Sequence, residues 1–254
     1  MTVTADDYII EASGLTKTFF GFAAVRDVNL KVRRHSIHAL IGPNGAGKTT
    51  MFNLITRFLQ PTEGTIRFNG ADITRLRPEQ IARLGMVRSF QISAVFPRMT
   101  VRENVRIALQ RPLGISYRFW QSEKRLRSLD ARADELLAEV GLERYSEMPA
   151  TLLSYGRKRV LEIATTLALD PEMLLLDEPT SGLGHEDVDR VAELIRKVAA
   201  QRTVLMVEHN LPVVAKLSDR ITVLAAGRVL AEGDYATVSQ DPRVIEAYIG
   251  GADD

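Results

Sequence analysis

The chain contains no cysteine. Disulfide frameworks, thiolate zinc sites and cysteine nucleophiles are therefore excluded. It has almost no net charge: 33 basic residues against 32 acidic ones leave +1. That balance gives no bulk electrostatic drive toward nucleic acid or an anionic membrane. Aromatic residues make up only 6% of the chain, and tryptophan occurs once. Long apolar runs are missing as well. The best candidates, Met173–Leu176 and Ile221–Ala226, are strand-sized, far short of the roughly 18 residues of a membrane span. The N-terminal stretch MTVTADDYII has two acids and no basic region, which does not read as a secretory signal. The expectation is a cytosolic protein that meets a membrane only through an embedded partner. The rest is ordinary: 254 residues, 45% hydrophobic and 26% charged. Such a chain is neither disordered nor low-complexity, and it is long enough for one or two domains with a full core.

Hydrophobic periodicity sets the architecture. Val28, Leu30 and Val32 alternate with polar residues, and so do Ile66 and Phe68, which Asn69-Gly70 follows. These patterns predict half-buried strands and a turn. Ser36–Ile41 is a short apolar run ending at Gly42 and predicts a buried strand. Between about 100 and 140 the pattern becomes helical. Leu126, Leu129, Ala133, Leu136, Leu137 and Val140 recur at three- and four-residue steps before Gly141, as an amphipathic helix with a glycine stop requires. Helices are expected over 157–169 and 187–200, buried strands over 173–176 and 203–207, and a hairpin around Ala226-Gly227. Strands alternating with helices give an α/β fold, and the helical block looks inserted into it.

One motif dominates: Gly42-Pro43-Asn44-Gly45-Ala46-Gly47-Lys48-Thr49, followed by Thr50. It fits G-x-x-x-x-G-K-[ST], with a predicted strand before it and a helix-compatible run after it. Wrapping a triphosphate demands backbone N–H groups at close range. Glycines at 42, 45 and 47 permit the tight turns, and the N-terminus of the helix turns its dipole toward the phosphates. Lys48 is expected to reach the β- and γ-phosphates, and the Thr49 hydroxyl to ligate Mg²⁺. Downstream, the apolar strand 173–176 ends in Asp177-Glu178-Pro179. Asp177 is placed to hold Mg²⁺, and Glu178 is the candidate base that orients and deprotonates an attacking water. Guanine specificity would call for an Asn-Lys-x-Asp motif, which the sequence lacks. A further turn, Leu153-Ser154-Tyr155-Gly156-Arg157, leads into the helix near residue 157. Ser154 can cap that helix or donate to an anion.

A phosphate loop, an LSxG turn and an apolar strand ending in Asp-Glu-Pro, in this order, resemble an ABC-transporter ATP-binding subunit across essentially the whole chain. The resemblance implies a P-loop NTPase (RecA-like) α/β core with an N-terminal antiparallel β subdomain and an inserted α-helical subdomain. Core and β subdomain would take 1–91 and 161–254, and the helical insertion 92–160. It implies a head-to-tail dimer in which Ser154, Tyr155 and Gly156 act in trans on the γ-phosphate of the partner's ATP. Phe19 matches the adenine-stacking aromatic, with Phe20 as a rival, and Val25 joins the ATP contacts. Gln91 matches the glutamine that senses Mg²⁺ and links core to helices. His209 matches the switch histidine near the γ-phosphate. Two departures stand out: the turn is LSYGR in place of LSGGQ, and Gly184 stands where many members carry Asp, so no side chain makes that contact across the dimer.

Tyr155, the stretches Gly85–Gln91 and Met99–Val105, and the ending Val244–Gly250 resemble ATP-binding subunits of branched-chain (hydrophobic) amino-acid importers. Residues 111–124 resemble an extra stretch of the larger of the two subunits in those systems. The implied assembly is a heterodimer with a second, similar ATP-binding subunit, a homodimer being the alternative. It would sit peripherally on the cytoplasmic face of the membrane, on a separate integral permease, with a solute-binding protein delivering cargo. The segment 91–100 is apolar enough to touch the permease. Other solutes (urea, an amide, another amino acid) and a non-transport ABC ATPase are the alternatives. Near-zero net charge argues against nucleic acid.

Overall fold

A computed structural model describes residues 7–89, 95–111 and 129–249. Gln91, residues 112–124 of the extra stretch and Leu126 lie outside the described residues. The chain begins as a long hairpin, β1 (Tyr8–Phe19) and β2 (Phe22–Arg33). Its two-residue turn places Phe20 at φ 46° and Gly21 at φ 87°, the doubly positive geometry that matches strand twist. With β4 (Glu63–Phe68) and β5 (Ala71–Asp72) it forms an antiparallel sheet of order β2-β1-β4-β5.

The second sheet has the order β10-β9-β3-β8-β7-β6. Its strands are β3 (Ile37–Ile41), β6 (Met86–Ser89), β7 (Met173–Asp177), β8 (Thr203–Val207), β9 (Arg220–Ala225) and β10 (Arg228–Gly233). Neighbours pair in parallel except β10, which is antiparallel to β9. Residues 37–41, 173–177 and 203–207 are buried on both faces, which is why they read as unbroken apolar runs. Alternation still sorts them. Leu174, Leu176, Val204 and Met206 face one core, while Met173, Leu175, Leu205 and Val207 face the other.

The second of these cores is closed by the antiparallel sheet and by α1 (Lys48–Ile55), whose Met51, Phe52, Leu54 and Ile55 are all buried. The first is closed by α6 (His185–Ala199), α7 (Leu211–Leu217) and the helical unit. That unit contains α3 (Val101–Gln110), α4 (Asp130–Glu139) and α5 (Tyr155–Leu167). Burying each Leu, Val or Ile here is worth roughly 1.5–3 kcal/mol. A short α2 (Pro78–Arg83) precedes β6, and α8 (Tyr235–Ser239) and α9 (Pro242–Ile249) follow β10.

Polar contacts fix the helical unit. Thr100 caps α3 in a reciprocal box: its hydroxyl accepts from Glu103 N at 3.1 Å, and the Glu103 carboxylate accepts from Thr100 N at 2.8 Å. Buried Asn104 accepts from Phe96 N at 2.7 Å and donates to Thr100 O at 2.8 Å. Arg102 ties α3 to Asp134 of α4 at 2.7 Å and also meets Glu147. α4 ends before Gly141, whose φ of 73° suits a helix stop. α5 begins two residues before the expected start because Ser154 is its N-cap.

Candidate functional site

Three neighbouring parallel strands, β3, β8 and β7, end side by side. Ligands of open α/β sheets bind at such carboxyl ends. β3 runs into the phosphate loop. Its glycines take φ values of 150° (Gly42), 74° (Gly45) and 100° (Gly47). Space is as tight as the dihedrals: a Cβ on Gly42 would lie 2.1 Å from the Leu224 carbonyl oxygen, and one on Gly47 2.6 Å from that of Ala24. Val25 is fully buried behind the loop, and its Cγ2 would be 3.5 Å from that second Cβ. The turn closes through Ala46 N donating to Pro43 O at 3.2 Å and is pinned to the β9–β10 hairpin by Gly227 N donating to Ala46 O at 3.1 Å. No side chain caps α1, so no side chain occupies the N–H groups of its first turn. Asn44 and Thr49 are exposed and Thr50 is half-buried.

Lys48 bends back over the loop, donating to Gly42 O at 2.6 Å and Pro43 O at 2.9 Å. Partial burial lowers its pKa, and the nearby charge of Glu178 opposes that shift. The Lys48 ammonium and the Glu178 carboxylate are thus close enough to interact electrostatically.

β7 ends at Asp177, which is buried and paired through Oδ2 with Arg88 Nη2 of β6 at 2.5 Å. Arg88 also donates to Asn53 Oδ1 of α1 at 2.6 Å. Glu178 follows in the left-handed region at φ 46°, a conformation that costs a non-glycine residue about 1 kcal/mol or more. Its surroundings hold it there. Glu178 N donates to Val207 O at 2.9 Å. From the other side, buried Arg159 of α5 donates to the carbonyls of Asp177 (2.7 Å), Glu178 (3.2 Å) and Pro179 (3.3 Å), while pairing with Glu162 at 2.7 Å. The chain after β8 presents His209, with Nδ1 3.9 Å from Glu178 Oε2.

The structure therefore brings Lys48, Asp177, Glu178 and His209 together with the loop. Phe19 lies at the end of β1, 36% exposed, with Lys17 Nζ 5.1 Å from its ring centroid; Phe20 projects fully into solvent. The Ser154–Gly156 turn stands apart on the helical unit. Ser154 Oγ accepts from Arg157 N at 3.4 Å, and Tyr155 is 63% exposed. The Tyr155 ring lies 3.4 Å from where a Gly182 Cβ would be, and a Cβ on Gly156 would overlap the Asp187 carboxyl at 2.2 Å. A side chain at position 156 would have to displace the Asp187 carboxyl. Position 184, by contrast, has nothing within 4 Å of a Cβ, so nothing among the described residues excludes a side chain there.

Among the described residues no cluster of three or more His, Asp or Glu could hold a metal by itself. Asp177, buried with its Oδ2 on Arg88, and the exposed Thr49 hydroxyl are hard-oxygen donors of the kind Mg²⁺ takes together with phosphate and water oxygens.

Sequence reasoning missed Arg88, Arg159 and Thr180. A signal existed for the first two: a charge inside an otherwise buried strand, and an Arg–Glu pair three apart on the apolar face of α5.

Comparisons with known proteins agree with this geometry. Residues 25–181 match the family model described as ABC transporter, and residues 228–254 match that described as branched-chain amino acid ATP-binding cassette transporter. The chain is 41% identical to the high-affinity branched-chain amino acid transport ATP-binding protein BraF of Pseudomonas aeruginosa, over 96% of this chain and 98% of that one. It is 40% identical to the LivG protein of the same description from Escherichia coli, with the same coverage of 96% and 98%. A crystal structure of a nucleotide-free ATP-binding cassette from an ABC transporter superposes with a TM-score of 0.85 at 30% identity, over 96% of this chain and 99% of that one. The phosphate loop at the end of β3, the acidic pair at the end of β7 and these likenesses together place the chain in the family of ABC-transporter ATP-binding subunits, which are ATPases.

Proposed function

We propose that this chain is the ATP-hydrolysing subunit of an importer that takes up branched-chain amino acids through a separate membrane permease. The observation that carries the hydrolytic part is the convergence of Lys48, Glu178 and His209 at the ends of three adjacent strands. The solute class rests on the relatives' descriptions and on the matching C-terminal segment.

In this reading the loop N–H groups and Lys48 bind the β- and γ-phosphates. Thr49 and Asp177 hold Mg²⁺, which neutralises phosphate charge. Glu178 accepts a proton from the attacking water and aligns it with the γ-phosphorus. His209 lies within reach of that water and of the γ-phosphate oxygens. Phe19 and Val25 border the adenine. Gln91, in the segment that joins core and helices, reports metal occupancy.

Dimerisation with a second ATP-binding subunit would bring Ser154, Tyr155 and Gly156 onto the partner's nucleotide. Exposure of Tyr155 and the position of Ser154 at a helix N-terminus support that role. ATP stabilises the closed pair through its γ-phosphate, and hydrolysis removes that differential contact, so the pair opens. A groove of about 630 Å³ between the core and the helical unit, lined by Phe58, Ile81, Met86, Phe96, Ile107 and Leu169, supports docking of the permease on the cytoplasmic face. Among the described residues no helix is long and apolar enough to cross a membrane.

The test is steady-state ATPase activity of the assembled transporter carrying Glu178→Gln. Turnover should fall by at least ~100-fold while ATP binding persists and the closed dimer accumulates. Undiminished hydrolysis would falsify the role assigned to Glu178.

A further inference from the structure

We infer that Glu208 is a positioning residue whose buried carboxylate fixes the loop of the base Glu178 and the loop of His209 on one common anchor. The inference rests on the reading above, in which those two side chains act on ATP.

Glu208 follows β8 and has no exposed surface. Its oxygens take four donors. Oε1 accepts from Thr180 N at 2.9 Å and from Thr180 Oγ1 at 2.6 Å. Oε2 accepts from His209 N at 3.0 Å and from Asn210 N at 3.1 Å. Thr180 lies two residues beyond Glu178, and His209 is the very next residue after Glu208. One side chain therefore bridges the two loops that must present a base and a histidine to the same phosphate.

The bridge has a second strand of support. Glu178 N donates to Val207 O at 2.9 Å, so the start of the loop after β7 is tied to the last residue of β8 and, two residues on, to Glu208. This double attachment keeps Glu178 at its positive φ and sets the 3.9 Å approach of His209 Nδ1 to Glu178 Oε2. The His209 side chain is 58% exposed, so its place is governed by its backbone, and Glu208 holds that backbone. On the far side Asn210 Oδ1 accepts from Val213 N at 3.3 Å and caps α7, which ties the anchor to a rigid element.

The chemistry requires a carboxylate. Four donors need four lone pairs with no competing proton, and only an ionised acid offers that. Glutamine has the same shape but one acceptor oxygen. Either orientation of its amide turns an NH₂ toward N–H groups, and at least one buried backbone N–H loses its acceptor. A staple that served stability alone would not discriminate between ATP binding and turnover. An anchor that sets base against histidine acts on turnover and leaves ATP affinity intact, since the phosphate loop is carried by β3 and α1.

The experiment measures kcat and KM for ATP in the assembled transporter for Glu208→Gln, Thr180→Val, His209→Ala and the Glu208→Gln/His209→Ala pair, with Glu178→Gln as reference. Glu208→Gln should lower kcat at least about tenfold with KM within about twofold of wild type. Thr180→Val, which removes one of the four donors, should lower kcat by a smaller factor in the same direction. The double substitution should fall further than His209→Ala alone, through the loop of Glu178, but by less than the product of the two single losses, because part of the Glu208 effect runs through His209. Should Glu208→Gln fail to assemble, Thr180→Val carries the same test. A Glu208→Gln transporter with wild-type kcat, a rise in KM with kcat retained, or losses that multiply in the double variant would each overturn the proposal. An active Glu178→Gln transporter would overturn the underlying reading and this proposal with it; an inactive one beside a fully active Glu208→Gln overturns this proposal alone.

Discussion

Acid should destabilise this fold through one residue, His38. It is the second residue of β3, four positions before Gly42 opens the phosphate loop, with no exposed surface. Thr222 of β9 donates its hydroxyl proton to Glu232 Oε2 at 3.0 Å, so it accepts from His38 Nε2 at 2.8 Å. That order fixes the Nε2–H tautomer and leaves Nδ1 as a buried acceptor with no partner among the described residues. Protonating Nδ1 would place a charge in the core. Burial lowers the pKa from 6.5 to about 4, against an opposing pull from Glu232 and with a small push from Arg220. Because the folded value lies below the unfolded one, the unfolded chain binds more protons between pH 4 and 6.5. Stability from this residue is complete above pH 6.5 and is lost as pH falls toward 4. At about 1.36 kcal/mol per pH unit the full loss is ~3 kcal/mol, and ~2 kcal/mol has gone by about pH 5. For a chain of this size ~2 kcal/mol moves Tm by roughly 4–8 °C. Thermal and urea unfolding at pH 8 and pH 5 measure it, with His38→Gln as the comparison. The variant keeps a donor toward Thr222 and cannot titrate, so its pH dependence should be flatter than wild type by that amount. Parallel profiles for the two proteins would refute the assignment.

Two other substitutions probe the site's scaffold. Gly42→Ala places a Cβ 2.1 Å from the Leu224 carbonyl oxygen at a φ of 150°; binding of a fluorescent ATP analogue should be lost, and retained affinity would mean that the loop is not held against β9 as described. Arg159→Met strands Glu162 in the core and frees three carbonyls of the catalytic loop. Breaking a buried pair this way costs about 3–5 kcal/mol, so Tm should fall by at least ~6 °C. The double change Arg159→Met/Glu162→Met should recover stability but not ATPase turnover, and recovery of both would contradict a role for Arg159 at the loop.

The phosphate loop was legible in the sequence because its chemistry is carried by the backbone, and backbone demands are written directly as glycines. The strands 173–177 and 203–207 were legible because burial on both faces leaves only apolar residues. Helix ends were less so. α5 starts at Tyr155, directly after the Ser154 cap that the sequence offered, two residues before the start that apolar periodicity alone sets. β6 escaped because Arg88 interrupts its pattern, and that charge is accommodated by partners distant in sequence, Asp177, 89 residues away, and Asn53. The same limit hid the anchoring of Thr180 by Glu208 across 28 residues. Local pattern says which residues are buried; it does not say which distant partner makes a buried charge affordable.

The central claim is that hydrolysis at Glu178 drives amino-acid uptake. The direct measurement is uptake of labelled leucine, isoleucine, valine, other amino acids and urea by host cells lacking this chain, restored with wild type or with Glu178→Gln. The account predicts that wild type alone restores leucine, isoleucine and valine. Restoration of another solute in their place would contradict the substrate class, and equal restoration by Glu178→Gln would contradict the coupling of hydrolysis to transport.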